Sequence, residues 1–292
     1  MSAHVDTFVR DNLPPRDQWP EMKFTLPELQ FPAQYNASSM LDAAIANGHG
    51  ARPAVLLSSE TITYDALLEE ASRIAHVLMH DFDLVPGNRV LIHASNTRLS
   101  LPVWWGVFRA GGVAVGTMPM LRAHELAVIL NKAQISHAIV DTHRADELVA
   151  AQPAAPVLKH IVTTDDLLER MAKAPSTGAA VATAADDPAL IAFTSGTTGT
   201  PKGCVHCHRD VAAMAETVSR HILQPKPTDV FIGTPPFAFT FGLGAGMIFP
   251  ASVGAATAIC PKPGFDVLVD TIAQHQATTL FTSPTGYRAL MK

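Results

Sequence analysis

The residues with the clearest chemical content form one run: Thr194-Ser195-Gly196-Thr197-Thr198-Gly199-Thr200-Pro201-Lys202-Gly203. Glycines let backbone N–H groups turn inward toward an anion, hydroxyls add donors, and a lysine adds charge. That set of groups suits a triphosphate. It is not a Walker A loop, which requires G-x-x-x-x-G-K-[ST]. Here Lys202 follows Gly196 at the wrong distance and sits between a proline and a glycine. A second cluster, Cys204-Val205-His206-Cys207-His208, follows at once and fits the C-x-x-C-H haem-attachment pattern. It also offers zinc ligands, but one compact cluster without a second ligand pair rarely closes a tetrahedral site. A packed strand with buried thiols, and a structural role for His206 and His208, are the expectation.

The elements that must hold the run in place can be read from periodicity. The apolar stretch Ala189 to Phe193 reads as a strand leading into it. Upstream, Pro53–Leu57 and Thr61–Thr63 read as a hairpin. Tyr64–His80 reads as a helix, with Leu67, Leu68, Ala71, Ile74, Ala75 and Leu78 on one face. Strands at Arg89–Ala94, Val113–Gly116 and His137–Asp141 alternate with helices at Leu99–Ala110 and Arg122–Lys132. Trp104 and Trp105 lie in an apolar helix and read as core. Asp165, Asp166 and Glu169 read as a solvated helix start. Downstream come a strand at Cys204–His206, a helix at Arg209–Leu223, strands at Val230–Gly233, Ala255–Ile259 and Thr278–Phe281, and helices at Phe265–His275 and Thr285–Met291. Strands separated by helices imply an α/β fold of layered, parallel-rich sheets flanked by helices. The Pro-rich residues 1–35 read as an extended N-terminal arm, and residues 36–292 as one body. The linker-like segment 175–187 is expected to divide its two sheet layers.

Composition narrows the function classes. The 292 residues carry a formal net charge of -5, which does not suit a nucleic-acid binder. Three cysteines are too few for a disulfide framework and point to a reducing, cytoplasmic setting. Val230 to Cys260 contains no charged side chain and is long enough to cross a bilayer. Pro235, Pro236, Pro250 and five glycines would break any single helix there, so the stretch reads as buried core or the wall of an apolar pocket.

The run at 194–203 resembles the signature phosphate-binding loop of the adenylate-forming superfamily, which includes acyl-CoA synthetases, luciferases and peptide-synthetase adenylation domains. Ile62-Thr63-Tyr64-Asp65-Ala66-Leu67, Ala110 to Val115 with Met118-Pro119, Pro236 to Leu243, and Ser283-Pro284-Thr285 with Tyr287-Arg288 resemble further landmarks. The likeness covers almost all of the chain from about residue 50 onward. The N-terminal arm and the Phe-Thr-Phe-Gly-Leu-Gly stretch look most like benzoate-type ligases, especially 2-aminobenzoate:CoA ligases.

The resemblance implies a partial N-terminal adenylation domain that works with ATP, Mg2+ and CoA on an aromatic carboxylate, converting it to acyl-AMP and then acyl-CoA. Thr194, Ser195, Gly196, Thr197, Thr198, Gly199, Thr200 and Lys202 would grip the β- and γ-phosphates. Lys202 would also be catalytic, balancing charge on departing pyrophosphate. Phe239, Thr240, Phe241 and Gly242 would line the acyl pocket. No metal-ligating residue is assigned. The family's later motifs and C-terminal domain do not appear, so the chain alone is expected to be inactive, with exposed strand edges and poor solubility. The intact enzyme would act without nucleic acid or membrane and could form a homodimer. A non-catalytic nucleotide-binding remnant, or an adenylation module loading a carrier protein, remains an alternative reading.

Overall fold

The computed structural model describes residues 1–194 and 201–291. Two sheets form its frame. The strands are β1 (Pro53–Leu56), β2 (Thr61–Thr63), β3 (Arg89–His93), β4 (Val113–Gly116), β5 (His137–Val140), β6 (His160–Thr163), β7 (Pro188–Thr194), β8 (Lys202–Cys207), β9 (Val230–Gly233), β10 (Ala256–Ala258) and β11 (Thr279–Phe281). One sheet has six strands in the order β6-β5-β3-β4-β7-β8, and the other five in the order β11-β9-β10-β1-β2. All neighbours run parallel except the β1–β2 and β7–β8 pairs.

Every residue of β3, β4 and β5 is buried. Val90–Ile92, Val113–Val115 and Ala138–Val140 are apolar without alternation because helices cover both faces. The helices are α1 (Phe8–Asp11), α2 (Ser39–Ala44), α3 (Tyr64–His80), α4 (Ser100–Arg109), α5 (Ala123–Lys132), α6 (Ala145–Ala151), α7 (Thr164–Met171), α8 (His208–Met214), α9 (Thr240–Leu243), α10 (Phe249–Ala251), α11 (Phe265–His275) and α12 (Pro284–Leu290). Beyond α8 the chain continues in π-helical turns through Ala215–Leu223, and similar turns at Gly244–Ile248 join α9 to α10.

The layering follows from which faces are apolar. Leu67, Ile74 and Leu78 of α3 and Trp104, Trp105 and Phe108 of α4 share one core with Val90 and Ile92 of the first sheet and Val55 and Phe231 of the second. The α3–α4 pair therefore sits between the sheets. Gly106 lets the two helices touch, since a Cβ there would lie 2.6 Å from Ile74 Cγ2. On the far side of the six-stranded sheet, Leu126 and Leu130 of α5 pack on Leu91, Val113 and Val115. On the far side of the five-stranded sheet, Leu268 of α11 packs on Ile232 and Ala258. The hydroxyl of Tyr64, at the start of α3, donates to the carbonyl of Ala255 at 2.6 Å and so ties the layers together.

The segment 175–187 does not divide the sheets. β7 and β8, which follow it, complete the same sheet as β3 to β6, while β9 to β11 rejoin β1 and β2. It is laid on the body because its polar backbone finds partners there. Arg109 donates to the Gly178 carbonyl at 2.6 Å, Asn36 to the Val181 carbonyl at 3.1 Å, and the Thr183 hydroxyl to the Tyr35 carbonyl at 2.8 Å. The N-terminal arm contains α1 and two single 3-10 turns, Arg16–Gln18 and Pro27–Leu29, between extended stretches. No helix of the described residues is long and apolar enough to cross a membrane. Val230–Cys260 contains β9, the α9–α10 helix and β10.

Candidate functional site

β7 and β8 form an antiparallel hairpin with Thr194 opposite Lys202 at its tip. Both residues are exposed. Ser195, Gly196, Thr197, Thr198, Gly199 and Thr200 lie outside the described residues. Gly203 is needed for the hairpin itself, because a Cβ there would sit 2.8 Å from Ile191 Cγ2. β7 runs parallel to β4, so the tip projects at the carboxyl ends of the six-stranded sheet, where open α/β sheets bind ligands.

The aromatic stretch approaches the same end from the other sheet. β9 stops at Gly233, and the Thr234 hydroxyl shares a 2.7 Å hydrogen bond with Thr282 just beyond β11. Asn96, which follows β3, then fastens the next turn. Its side-chain nitrogen donates to the Pro235 carbonyl at 3.3 Å, and its oxygen accepts the Phe237 N–H at 3.0 Å. Gly116, at the end of β4, lets Ala238 in; a Cβ would lie 2.9 Å from both Ala238 Cα and Trp104 Cζ2. The carboxyl ends of both sheets therefore meet at Asn96, Gly116 and Pro235–Ala238. Ile92, Ser95, Trp104 and Phe237 line a narrow cavity at that junction.

Phe239 precedes the first turn of α9 and is 44% exposed; Phe241 is 51% exposed. Phe241 meets Phe281 edge-on with centroids 6.0 Å apart, and Phe281 lies nearly parallel to Phe231 at 6.2 Å. Thr240 is half-buried. Gly242 is buried with no room for a side chain, since a Cβ would sit 2.2 Å from the Pro236 carbonyl oxygen. Thr240, Phe241 and Gly242 thus share the single turn of α9, which Phe239 precedes; both phenyl rings are exposed, and that of Phe241 lies against Phe281 of β11. Asn96, Phe231 and Phe281 join this region although sequence reasoning did not single them out. Asn96 lies far away in the chain, and the two phenylalanines look like ordinary strand residues.

The Cys204–His208 segment departs from the expectation of buried thiols. Cys204 is exposed and Cys207 only half-buried, because β8 is the outermost strand of its sheet. Burial, helped by the nearby Asp210 carboxylate, pushes the Cys207 thiol up to about 12. It is therefore a poor nucleophile. His208 is fully buried, and its Nδ1 accepts the Ala37 N–H at 3.0 Å. Loss of hydration, reinforced by the neighbouring His4, pulls its imidazole down to about 3. Among the described residues no group of three or more His, Cys, Asp or Glu side chains converges as a metal site.

Two parallel-rich sheets whose carboxyl ends meet at Asn96, Gly116 and Pro235–Ala238 define an α/β domain of the kind that binds ligands beyond those ends. The chain belongs to the AMP-binding enzyme family, whose sequence model matches residues 43–292. It is 30% identical over 267 residues to a 4-hydroxybenzoate--CoA/benzoate--CoA ligase of Rhodopseudomonas palustris, covering 88% of this chain and 49% of the relative. It is 27% identical over 274 residues to a benzoate--CoA ligase of Thauera aromatica, covering 91% and 52%. The chain spans about half the length of the curated relatives it matches. Among solved structures, the anthranilate CoA ligase AuaEII in complex with anthranoyl-AMP superposes with a TM-score of 0.85 at 24% identity, covering 90% of this chain and 51% of that one. ATP-bound MatB from Rhodopseudomonas palustris does so with a TM-score of 0.79 at 26% identity, covering 88% and 51%. These likenesses agree with the layered parallel-rich sheets expected from the sequence.

Proposed function

We propose that this chain supplies the ATP- and acid-binding part of an AMP-forming ligase that activates an aromatic carboxylic acid of the benzoate or 2-aminobenzoate type. The observation that carries the reading is the cross-strand pairing of Thr194 with Lys202. It sets a hydroxyl and an ammonium side by side and exposed, where the hydroxyl- and glycine-rich run leaves and re-enters the sheet. Benzoate ligases among the relatives support the acid, and the exposed rings of Phe239 and Phe241 support an aromatic one.

In the first step a carboxylate oxygen of the acid bonds to the α-phosphorus of ATP. The bond from that phosphorus to the oxygen bridging it to the β-phosphorus breaks, and pyrophosphate leaves with the electron pair. Lys202 holds the β- and γ-phosphates and offsets the charge growing on the leaving group; Thr194 and the run from Ser195 to Thr200 donate hydrogen bonds. In the second step the CoA sulfur bonds to the acyl carbon, the acyl–oxygen bond to AMP breaks, and the thiol proton goes to solvent. ATP enters as its Mg2+ complex, and that ion supplies charge neutralisation at the phosphates. We place the enzyme in the cytoplasm as a homodimer, with residues 1–35 as an arm and residues 36–292 as a body.

Calorimetric titration of the full 292-residue chain with MgATP and with benzoate tests this reading. Lys202→Met should weaken MgATP binding by about tenfold or more, as loss of a charge-assisted phosphate contact implies. Its melting temperature should stay unchanged, because Lys202 is exposed. MgATP affinity indifferent to this substitution would remove the basis of the proposal.

A further inference from the structure

The β7–β8 hairpin lies at the edge of its sheet. β7 lies beside β4, with Ala114 opposite Leu190 and with Ala189, Leu190 and Ile191 buried, and among the described residues β8 pairs with β7 alone. Besides that core packing, a second set of contacts that can set its orientation lies at its base.

Asp187 immediately precedes β7 and His208 immediately follows β8. The His208 N–H donates to the Asp187 carbonyl at 3.1 Å, and the Arg209 N–H to the Ala185 carbonyl at 2.9 Å. The Asp187 carboxylate is wholly buried, and four donors reach it. They are the Ser2 hydroxyl at 2.5 Å, the Ala3 N–H at 3.0 Å, Arg10 Nη2 at 2.5 Å and the Ala184 N–H at 2.8 Å. Three of these come from one short piece of the arm, Ser2–Arg10. The same piece is bolted to the six-stranded sheet next to β3. Asp6 pairs with the buried Arg89 at 2.5 Å and accepts from Asn88 at 2.8 Å, and the N–H groups of Val5 and Asp6 donate to the Pro86 carbonyl. Asp6 and Arg10, four residues apart, thus form crossed ion pairs with Arg89 in the sheet and Asp187 at the hairpin.

We infer that Asp187 is a positioning residue for the hairpin tip and that residues 2–10 are the strap through which it acts. This rests on the reading of the tip as the phosphate-binding site. Thr194 lies seven residues along β7 from Asp187, a lever of roughly 23 Å at ~3.3 Å per residue. A tilt of about 5° at the base would swing Lys202 by roughly 2 Å, and a displacement of ~1 Å can cost a positioned group on the order of a hundredfold. A strap at the amino end of the sheet therefore controls where an ammonium stands at the carboxyl end. The strap's contacts lie at the opposite end of β7 from Thr194 and Lys202.

The test uses the full chain and MgATP as the calorimetric probe, with melting curves recorded in parallel. Arg10→Gln and Asp187→Asn should each weaken MgATP binding by about tenfold at a temperature where both are fully folded, whereas Arg10→Lys, which keeps the charge, should stay within about threefold of wild type. Should Asp187→Asn not fold, Arg10→Gln carries the test alone, since the Arg10 side chain is 39% exposed and removing it opens no core. If Arg10→Gln lowers the melting temperature but leaves the affinity within about twofold of wild type, the clamp is merely structural and the inference is wrong. Lys202→Met separates the two levels. A loss of affinity there without a loss in Arg10→Gln sinks only the strap; no loss in Lys202→Met sinks the phosphate site and the strap with it.

Discussion

Replacing His208 with asparagine should remove about 2 kcal/mol from the stability that the protein loses between pH 8 and pH 5. His208 is fully buried, its ring nitrogen accepting the Ala37 N–H, and its pKa falls from 6.5 in the free side chain to about 3 in the folded chain. Burial is the main cause; the neighbouring His4 lowers it further, and Asp187 opposes both. The folded state therefore refuses a proton that the unfolded state takes up. Below pH 6.5 the unfolded chain gains a proton and the folded chain does not, so stability rises with pH across this window and is lost as pH falls. At pH 5 an unfolded His208 is almost fully protonated. Linkage between 6.5 and about 3 then gives about 2 kcal/mol against folding, rising to about 3 kcal/mol at pH 4. Asparagine does not titrate, and its side-chain oxygen can take the place of Nδ1 as acceptor for Ala37. Urea unfolding followed by circular dichroism at pH 8 and pH 5 reads the effect. The absolute stability of the variant is secondary; the difference between the two pH values is the observable. His93, buried and pulled down to about 4 mainly by burial, acts in the same direction and leaves the variant a residual slope. If wild type and variant lose the same stability over this range, to within about 0.5 kcal/mol, the buried neutral imidazole at position 208 is not what makes the fold acid-sensitive.

Three further outcomes follow from the packing. Tyr64→Phe strands the Ala255 carbonyl in the core and should cost about 1–3 kcal/mol in chemical denaturation with no change in the unfolding slope. Gly242→Ala drives a Cβ into the Pro236 carbonyl at 2.2 Å and should cost about 1–3 kcal/mol, while lowering affinity for benzoate in calorimetry because the aromatic turn must shift. Phe241→Ala should change stability by less than ~1 kcal/mol, since the ring is 51% exposed, but should weaken benzoate binding roughly fivefold; unchanged affinity would remove Phe241 from the acid site.

The elements were largely legible. The expected Tyr64–His80 helix matches α3 end to end, because Thr63 caps it through the Ala66 N–H and its apolar residues fall on one face. The expected hairpin at Pro53–Leu57 and Thr61–Thr63, and the strands at Arg89, Val113 and His137, were equally plain from apolar runs set between turns. Less legible was β8. Lys-Gly-Cys-Val-His-Cys has no clean alternation, so its place at the edge of the sheet, and with it the exposure of Cys204, could not be read from the string. The segment 175–187 looked like a divider because its composition is that of a linker, yet composition says nothing of the partners that Arg109, Asn36 and Tyr35 offer it.

By itself the sequence determined the local vocabulary and the family: helix and strand periods, a hydroxyl-rich run with Lys202, and a chargeless aromatic stretch. Those are properties of neighbours in the chain, and periodicity records them directly. Only the tertiary structure decided which strands share a sheet, such as β1 beside β10, and that Asn96 fastens the turn bearing Phe237. It also decided that the arm reaches Asp187 beneath the hairpin. Pairings over such separations depend on how whole layers bury their apolar faces, and no local pattern encodes them.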